Sequence, residues 1–251
     1  MSSKGYELAG SSAQVLAFHG YTGSPYDLRP LANGLNEHDV KIHVPLLLGH
    51  GSKPQDLFDI DAQDWLRQAK DELKKLDPKK PIVLAGLSMG ALLAILLAGK
   101  SKKVSALILI SPALRLNLSA ELAISAAQLG LLSPKNSIQK MGGKSDINDP
   151  VAREMCPSYG VMPIHGLLQF EHLRLLAKKA LPRIKCPLFM AFAKTDGAIN
   201  TGSSRNLILA LAPTKIVSKT YSNSKHVLPL DFDRDTLCRD VWMFLKQTLH
   251  L

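Results

Sequence analysis

Three residue types, at three places in this chain, add up to nucleophilic catalysis. Ser88 stands in Gly86-Leu87-Ser88-Met89-Gly90, behind the apolar run Ile82-Val83-Leu84-Ala85 and ahead of Ala91-Leu92-Leu93-Ala94-Ile95-Leu96-Leu97. The pattern reads as buried strand, very tight turn, buried helix. A serine at such a turn takes a strained backbone conformation that lifts its hydroxyl out of the sheet. Gly86 and Gly90 flank it because strand and helix pass too close there for side chains. The helix N-terminus beneath it offers free N–H groups and the positive end of a dipole to a developing anion.

By chance alone, roughly one chain in ten of this length carries G-x-S-x-G, so the pattern needs partners. A serine nucleophile requires a base within hydrogen-bond reach and a carboxylate to hold that base in the right tautomer. Of eight histidines, His226 alone falls between the last strand and the terminal helix. Asp196 follows the penultimate strand, which brings it to the same sheet edge. The loop after Ile110 reads Ser111-Pro112-Ala113-Leu114-Arg115 and has no carboxylate, so Asp196 has no rival there. The order Ser, Asp, His is the one that a strand–turn–helix nucleophile takes. Two backbone donors are expected for the oxyanion, the N–H of Met89 and the N–H of Tyr21 in the first strand–helix loop. His19 and His50 read as loop architecture, and His38, His165, His172 and His250 as structural or surface residues.

The elements that must position these groups are legible from periodicity. Strands are expected over residues 15–18, 40–44, 82–85, 106–110, 188–192 and 215–221, alternating with helices over 61–76, 91–97, 163–181, 204–212 and 233–249. Ser24-Pro25-Tyr26-Asp27 reads as a helix start, with Ser24 as N-cap and Pro25 at the first position. Alternation of this kind predicts an α/β architecture, with a mostly parallel central sheet covered by helices on both faces. It pauses for about fifty residues after Pro112, too many for a crossover loop. The expected organisation is therefore a core of residues 1–112 and 163–251 with a helical lid inserted at 113–162. The lid has an apolar piece at 118–132 and a Gly/Asp/Pro-rich stretch at 142–150.

Composition bounds the rest. The chain has 251 residues and is 46% hydrophobic, enough for one large core. No apolar run approaches a membrane span, and Met1-Ser2-Ser3-Lys4-Gly5-Tyr6-Glu7 has no signal-peptide core, which predicts a cytoplasmic protein. Cys156, Cys186 and Cys238 lack CxxC spacing and read as free thiols in a reducing compartment. The net charge of +10 is dispersed in lysine pairs such as Lys74-Lys75 and Lys102-Lys103. It argues against a nucleic-acid partner and for at most weak attraction to an anionic lipid surface. Gly143-Lys144-Ser145 resembles a P-loop ending but lacks the leading Gly and strand. The chemistry calls for no metal and no cofactor.

With His19-Gly20-Tyr21-Thr22-Gly23-Ser24, Pro45-Leu46-Leu47-Leu48-Gly49-His50-Gly51, the Ser88 pentapeptide and Asn223-Ser224-Lys225-His226-Val227 in view, the chain resembles the bacterial monoacylglycerol lipase and carboxylesterase group of α/β-hydrolases. Leu230-Asp231-Phe232-Asp233 is similar too. The resemblance implies an α/β-hydrolase fold with Ser88 as nucleophile, Asp196 as orienting acid, His226 as base, and Tyr21 and Met89 as oxyanion donors. Ala91 stands where relatives commonly have a second Gly, and the insertion is the least matched region.

The expected activity is a serine carboxylic-ester hydrolase working through an acyl-enzyme on monoacylglycerols or other short-to-medium-chain lipid-like esters. Ile199 and Val227 are the expected substrate walls. A thioesterase, a perhydrolase or an aromatic-ester esterase would use the same triad, and a ligand-binding receptor with vestigial activity is the reading from a different class. Dehalogenase and epoxide-hydrolase chemistry are disfavoured because position 88 is Ser rather than Asp.

Overall fold

A computed structural model describes residues 3–140 and 143–251. Met1, Ser2, Met141 and Gly142, and with them the start of the N-terminal reading and of the Gly-rich stretch, lie outside the described residues. In chain order the elements are β1 Tyr6–Leu8, β2 Ala13–Phe18, α1 Arg29–Asn36, β3 Val40–Val44, α2 Ala62–Lys74, β4 Ile82–Leu87 and α3 Met89–Ala98. Next come β5 Val104–Ile110, α4 Leu118–Gln128, β6 Ser137–Gln139, α5 Pro150–Met155, β7 Val161–Pro163 and α6 Ile164–Ala180. The chain closes with β8 Leu188–Ala193, α7 Thr201–Leu211, β9 Ile216–Tyr221 and α8 Arg234–Leu249.

Seven strands form one sheet in the order β1-β3-β2-β4-β5-β8-β9. All neighbours are parallel except β1, which runs antiparallel to β3 with Tyr6 opposite Val44. The sheet separates two apolar layers, and the alternation along each strand decides which layer a side chain joins. Leu16, Phe18 and Leu84 face α2, α3 and α6, while Val15, Ala17, Val83 and Ala85 face α1 and α8. Every residue of β4 and of α3 is buried. A helix that is apolar all round can only sit inside, and α3 lies between the sheet and the helices α2 and α6.

Local chemistry sets the element ends. The Asp61 N–H donates to the Asp64 carboxylate at 3.0 Å, closing the start of α2. The expected helix at Ser24 begins instead as a 3-10 turn, Pro25–Leu28, before α1 proper. Ser24 is its N-cap and Pro25 its first residue, as expected, and the Asp27 carboxylate reaches back to accept the Ser24 N–H at 3.2 Å. Helix α7 starts three residues earlier than expected because Asn200 caps it, accepting from the Ser203 N–H at 2.9 Å.

Residues 113–162 hold α4, α5 and a small antiparallel pair, β6 with β7. The pair has no counterpart in the sequence reading. Its strands are three residues each and carry no alternating pattern or tight-turn signal. Among the described residues, no helix is long and apolar enough to cross a membrane.

Candidate active site

Strand β4 ends on a side chain that the backbone cannot accommodate comfortably. Ser88 has φ 56° and ψ −112°, a positive φ that costs an L-residue of order 1–3 kcal/mol. Two glycines make the turn possible: a Cβ on Gly86 would overlap the Gly90 carbonyl, and one on Gly90 would overlap the Phe18 carbonyl. The Ser88 N–H is tied to the Ile110 carbonyl at 2.9 Å, so the neighbouring strand β5 holds the turn closed.

At the same sheet edge, Asp196 follows β8 and His226 follows β9. The His226 Nδ1 lies 2.8 Å from Asp196 Oδ2. The other carboxylate oxygen of Asp196 accepts from the N–H groups of Ala198 at 2.8 Å and Ile199 at 3.0 Å, and its side chain is fully buried. Burial works against a charged His226 imidazole. The charge and hydrogen bond of Asp196, with Asp146 behind them, outweigh it and hold the pKa above the ordinary histidine value. A raised pKa of this kind would suit an imidazole that removes a proton from a serine hydroxyl.

The loop carrying Tyr21 lies against the elbow, since a Cβ on Gly20 would stand 3.4 Å from the Ser88 Cβ. Among the described residues, neither the Tyr21 N–H nor the Met89 N–H donates a hydrogen bond. The Tyr21 phenol donates to the Pro163 carbonyl at 2.6 Å, and its ring stacks on Phe170.

Two neutral imidazoles staple this loop to the next. His19 donates from Nδ1 to the Gly20 carbonyl at 2.9 Å and accepts the Leu47 N–H at Nε2, 3.1 Å away. His50 donates to the Leu48 carbonyl at 3.0 Å and accepts the Thr22 N–H at 3.0 Å. Burial lowers both, His19 well below the ordinary value and His50 to about 4. Their architectural role follows from these bonds, and the bond each ring accepts requires it to be uncharged.

Ser88, His226, Tyr21, Ile199 and Val227 all line one cavity of about 330 Å³. Met89 is fully buried and is not among the residues that line it. Residues 113–162 contribute Asn117, Ala120 and Ala123 of α4 and its cap, Ile138 and Lys140 around β6, and Met162 to the cavity lining.

Sequence reasoning missed two residues. Asp146 accepts from the Gly197 N–H at 2.7 Å and the His226 N–H at 3.3 Å, and its carbonyl accepts from Val227 at 3.2 Å. It therefore ties the loop of Asp196 to the loop of His226. Ser111, at φ 43°, donates its hydroxyl to the His226 carbonyl at 2.8 Å. Neither belongs to a motif. Both act across more than fifty residues of sequence, a relation that no local pattern encodes.

Known proteins offer an independent comparison. The family described as serine aminopeptidase, S33, matches residues 9–233. A carboxylesterase of Bacillus subtilis (strain 168) is 28% identical over 249 residues, covering 97% of this chain and 96% of that protein. The thermostable monoacylglycerol lipase of Bacillus sp. (strain H-257) is 28% identical over 234 residues, covering 92% and 90%. Among solved structures, a chain from a study of LipS and LipT, two metagenome-derived lipolytic enzymes, superposes with a TM-score of 0.86. It is 25% identical and covers 98% of each chain. The overall architecture is that of an α/β-hydrolase, as the sequence led us to expect.

Proposed function

The chain belongs to the serine aminopeptidase, S33 family of α/β-hydrolases, and from that premise we propose that it is a serine carboxylic-ester hydrolase acting on monoacylglycerols or similar short-to-medium-chain esters. One observation carries the reading: Ser88 at its strained elbow shares a cavity with His226, whose Nδ1 is held by Asp196 at 2.8 Å.

In the reaction, His226 Nε2 takes the Ser88 proton as Oγ attacks the ester carbonyl. The oxyanion is received by the N–H groups of Tyr21 and Met89, each worth on the order of 3 kcal/mol of transition-state stabilisation. His226 then returns the proton to the leaving alkoxide and activates water against the acyl-enzyme. Aliphatic acyl chains fit a cavity whose walls include Leu116, Ile138, Leu167, Phe170, Ile199 and Val227. The two Bacillus relatives, named carboxylesterase and monoacylglycerol lipase, support an ester over the peptide bond of the family's description. Residues 113–162 would act as the lid that shapes the acyl and alcohol pockets. Cys156, Cys186 and Cys238 are free thiols, which supports a reducing, cytoplasmic setting. Exposed Leu118, Leu122 and Leu129 and the basic charge support at most weak attraction to anionic lipid.

A hydrolysis panel tests the reading: para-nitrophenyl esters from acetate to palmitate, a set of monoacylglycerols, and an aminoacyl para-nitroanilide. The expected result is turnover of esters with a short-to-medium optimum and an inert anilide. Anilide cleavage without ester cleavage would overturn it.

A further inference from the structure

The cavity beside Ser88 has two chemically different linings. Leu116, Ala120, Ala123, Ile138, Leu167 and Phe170 form an apolar one, which the hydrocarbon of an ester would use. The other is polar and comes from the segment after Tyr21 and from the insertion: Asp27, Lys140, Ser145, Asp146 and Ser158. A simple aliphatic ester leaves this second lining without a role.

Lys140 is its centre. It follows β6, where its N–H donates to the Gly160 carbonyl at 3.1 Å. Its ammonium donates to the Ser158 hydroxyl at 2.8 Å and to the Lys144 carbonyl at 3.0 Å. Ser158 in turn donates to the Thr22 carbonyl at 3.0 Å, next to Tyr21. An ammonium has three N–H donors, so one is left over among the described residues.

No carboxylate of a described residue stands within ion-pair distance of Lys140. The two acids that line the cavity are engaged elsewhere. Asp146 accepts two backbone N–H groups and pairs with Lys225 at 3.7 Å. Asp27 accepts from the Ser24 N–H at 3.2 Å and lies 3.6 Å from the Cys156 thiol. Burial lowers the Lys140 ammonium to about 8, with Asp27 opposing, so the group is mostly charged at neutral pH. Its field reaches Asp27, His50 and His226. Lys144, exposed at the rim, adds a second cation to the same lining. A cation in a half-buried, low-dielectric site whose neighbouring carboxylates, Asp27 among them, stand beyond ion-pair distance attracts an anion.

We propose that Lys140 is a specificity-determining residue that binds an anionic group of the substrate, a carboxylate or phosphate carried on the acyl or the alcohol side of the ester, while the hydrocarbon lies on the apolar lining. The proposal rests on the esterase reading of the site and narrows its substrate class.

Matched pairs test it, with kcat/KM measured for wild type, Lys140→Met and Lys140→Arg. On the acyl side, para-nitrophenyl hexanoate is compared with the mono-para-nitrophenyl esters of adipate and suberate. On the alcohol side, monodecanoylglycerol is compared with its phosphate ester, decanoyl lysophosphatidate. Calorimetric binding of adipate and suberate against hexanamide, a neutral chain, is measured alongside, because it needs no turnover. Wild type is expected to prefer the anionic member on one side by about tenfold or more, the range of a charged hydrogen bond. Lys140→Met is expected to erase that preference while leaving the neutral member within about twofold, and Lys140→Arg to retain part of it.

Equal rates and equal binding for charged and neutral members would overturn the anion site and leave the esterase reading intact. So would a Lys140→Met variant that slows both members alike, which would make Lys140 a structural tie between β6 and Ser158. Failure to hydrolyse any ester, with diacids still binding in a Lys140-dependent way, would remove the esterase reading and keep the anion site.

Discussion

Asp196 and His226 are joined by a single 2.8 Å contact between Oδ2 and Nδ1, and neither group is free to turn. The second oxygen of Asp196 is held by the Ala198 and Ile199 amides. The backbone around His226 is held by Asp146 from one side and Ser111 from the other. The carboxylate thus fixes both the orientation of the imidazole and its tautomer, leaving Nε2 as the acceptor.

The first consequence is a pH profile. In the proposed mechanism His226 must be neutral, and Asp196 overcomes burial to keep its pKa above the ordinary histidine value. In wild type, kcat/KM is expected to rise through a pKa above 6.5. Asp196→Asn removes the charge and the correct tautomer together. Its activity should fall by roughly 10³–10⁴, with the residual activity rising at lower pH. An unchanged profile would mean that Asp196 does not set the state of His226.

A second prediction concerns Asp146, which no motif marks. It bridges the Gly197 and His226 amides without being assigned a step in the chemistry. Asp146→Ala should lower kcat about tenfold with little change in KM, and reduce stability by on the order of 1–2 kcal/mol through the two amides left without an acceptor. Steady-state kinetics and thermal melts on one preparation check both. A change confined to KM would assign Asp146 to substrate binding instead.

A third follows from His50, which works only as a neutral ring between Thr22 and Leu48. Burial holds it near 4, against 6.5 in the unfolded chain. Between those values the unfolded chain takes up a proton that the folded chain refuses. The contribution of His50 is therefore complete above pH 6.5 and is lost as pH falls through about 4. Wild type should melt above His50→Gln at neutral pH, and the gap should narrow on acidification. A gap that stays constant would contradict a neutral His50.

The fourth concerns the insertion. Arg174 of α6 makes a bidentate pair with Glu121 of α4 at 2.7 and 2.8 Å, and a second pair with the buried Glu171. Arg174→Leu strands Glu171, at a cost of about 3 kcal/mol, or roughly 6–12 °C in Tm. Because α4 supplies Ala120 and Ala123 to the cavity, the chain-length profile of ester hydrolysis should broaden as well. A melt shift with an unchanged profile would make the pair a purely structural link.

What the sequence disclosed and what it withheld divide along one physical line. The elbow is legible because Gly86 and Gly90 stand where a Cβ would strike backbone, a constraint written within five residues. Asp196 and His226 are legible because parallel strands deliver their C-terminal loops to one edge, so the alternation of elements implies the meeting place. Asp146, Ser111 and Lys140 act through hydrogen bonds or charge across the insertion and the core, where no period or spacing records the partner. The pairing of β6 with β7 was hidden for the same reason, its two short strands lying more than twenty residues apart with α5 between them. Helix boundaries shifted where a side-chain cap, such as Asn200, decided them.

The central claim is that Ser88 is a nucleophile activated by His226. It is tested most directly by intact-protein mass spectrometry after treatment with a fluorophosphonate. Wild type should gain one phosphonyl adduct on Ser88 and lose ester hydrolysis in proportion. Ser88→Ala should stay unlabelled and inactive, and His226→Ala should label slowly if at all. An adduct on another residue, or ester hydrolysis that survives Ser88→Ala, would contradict the account.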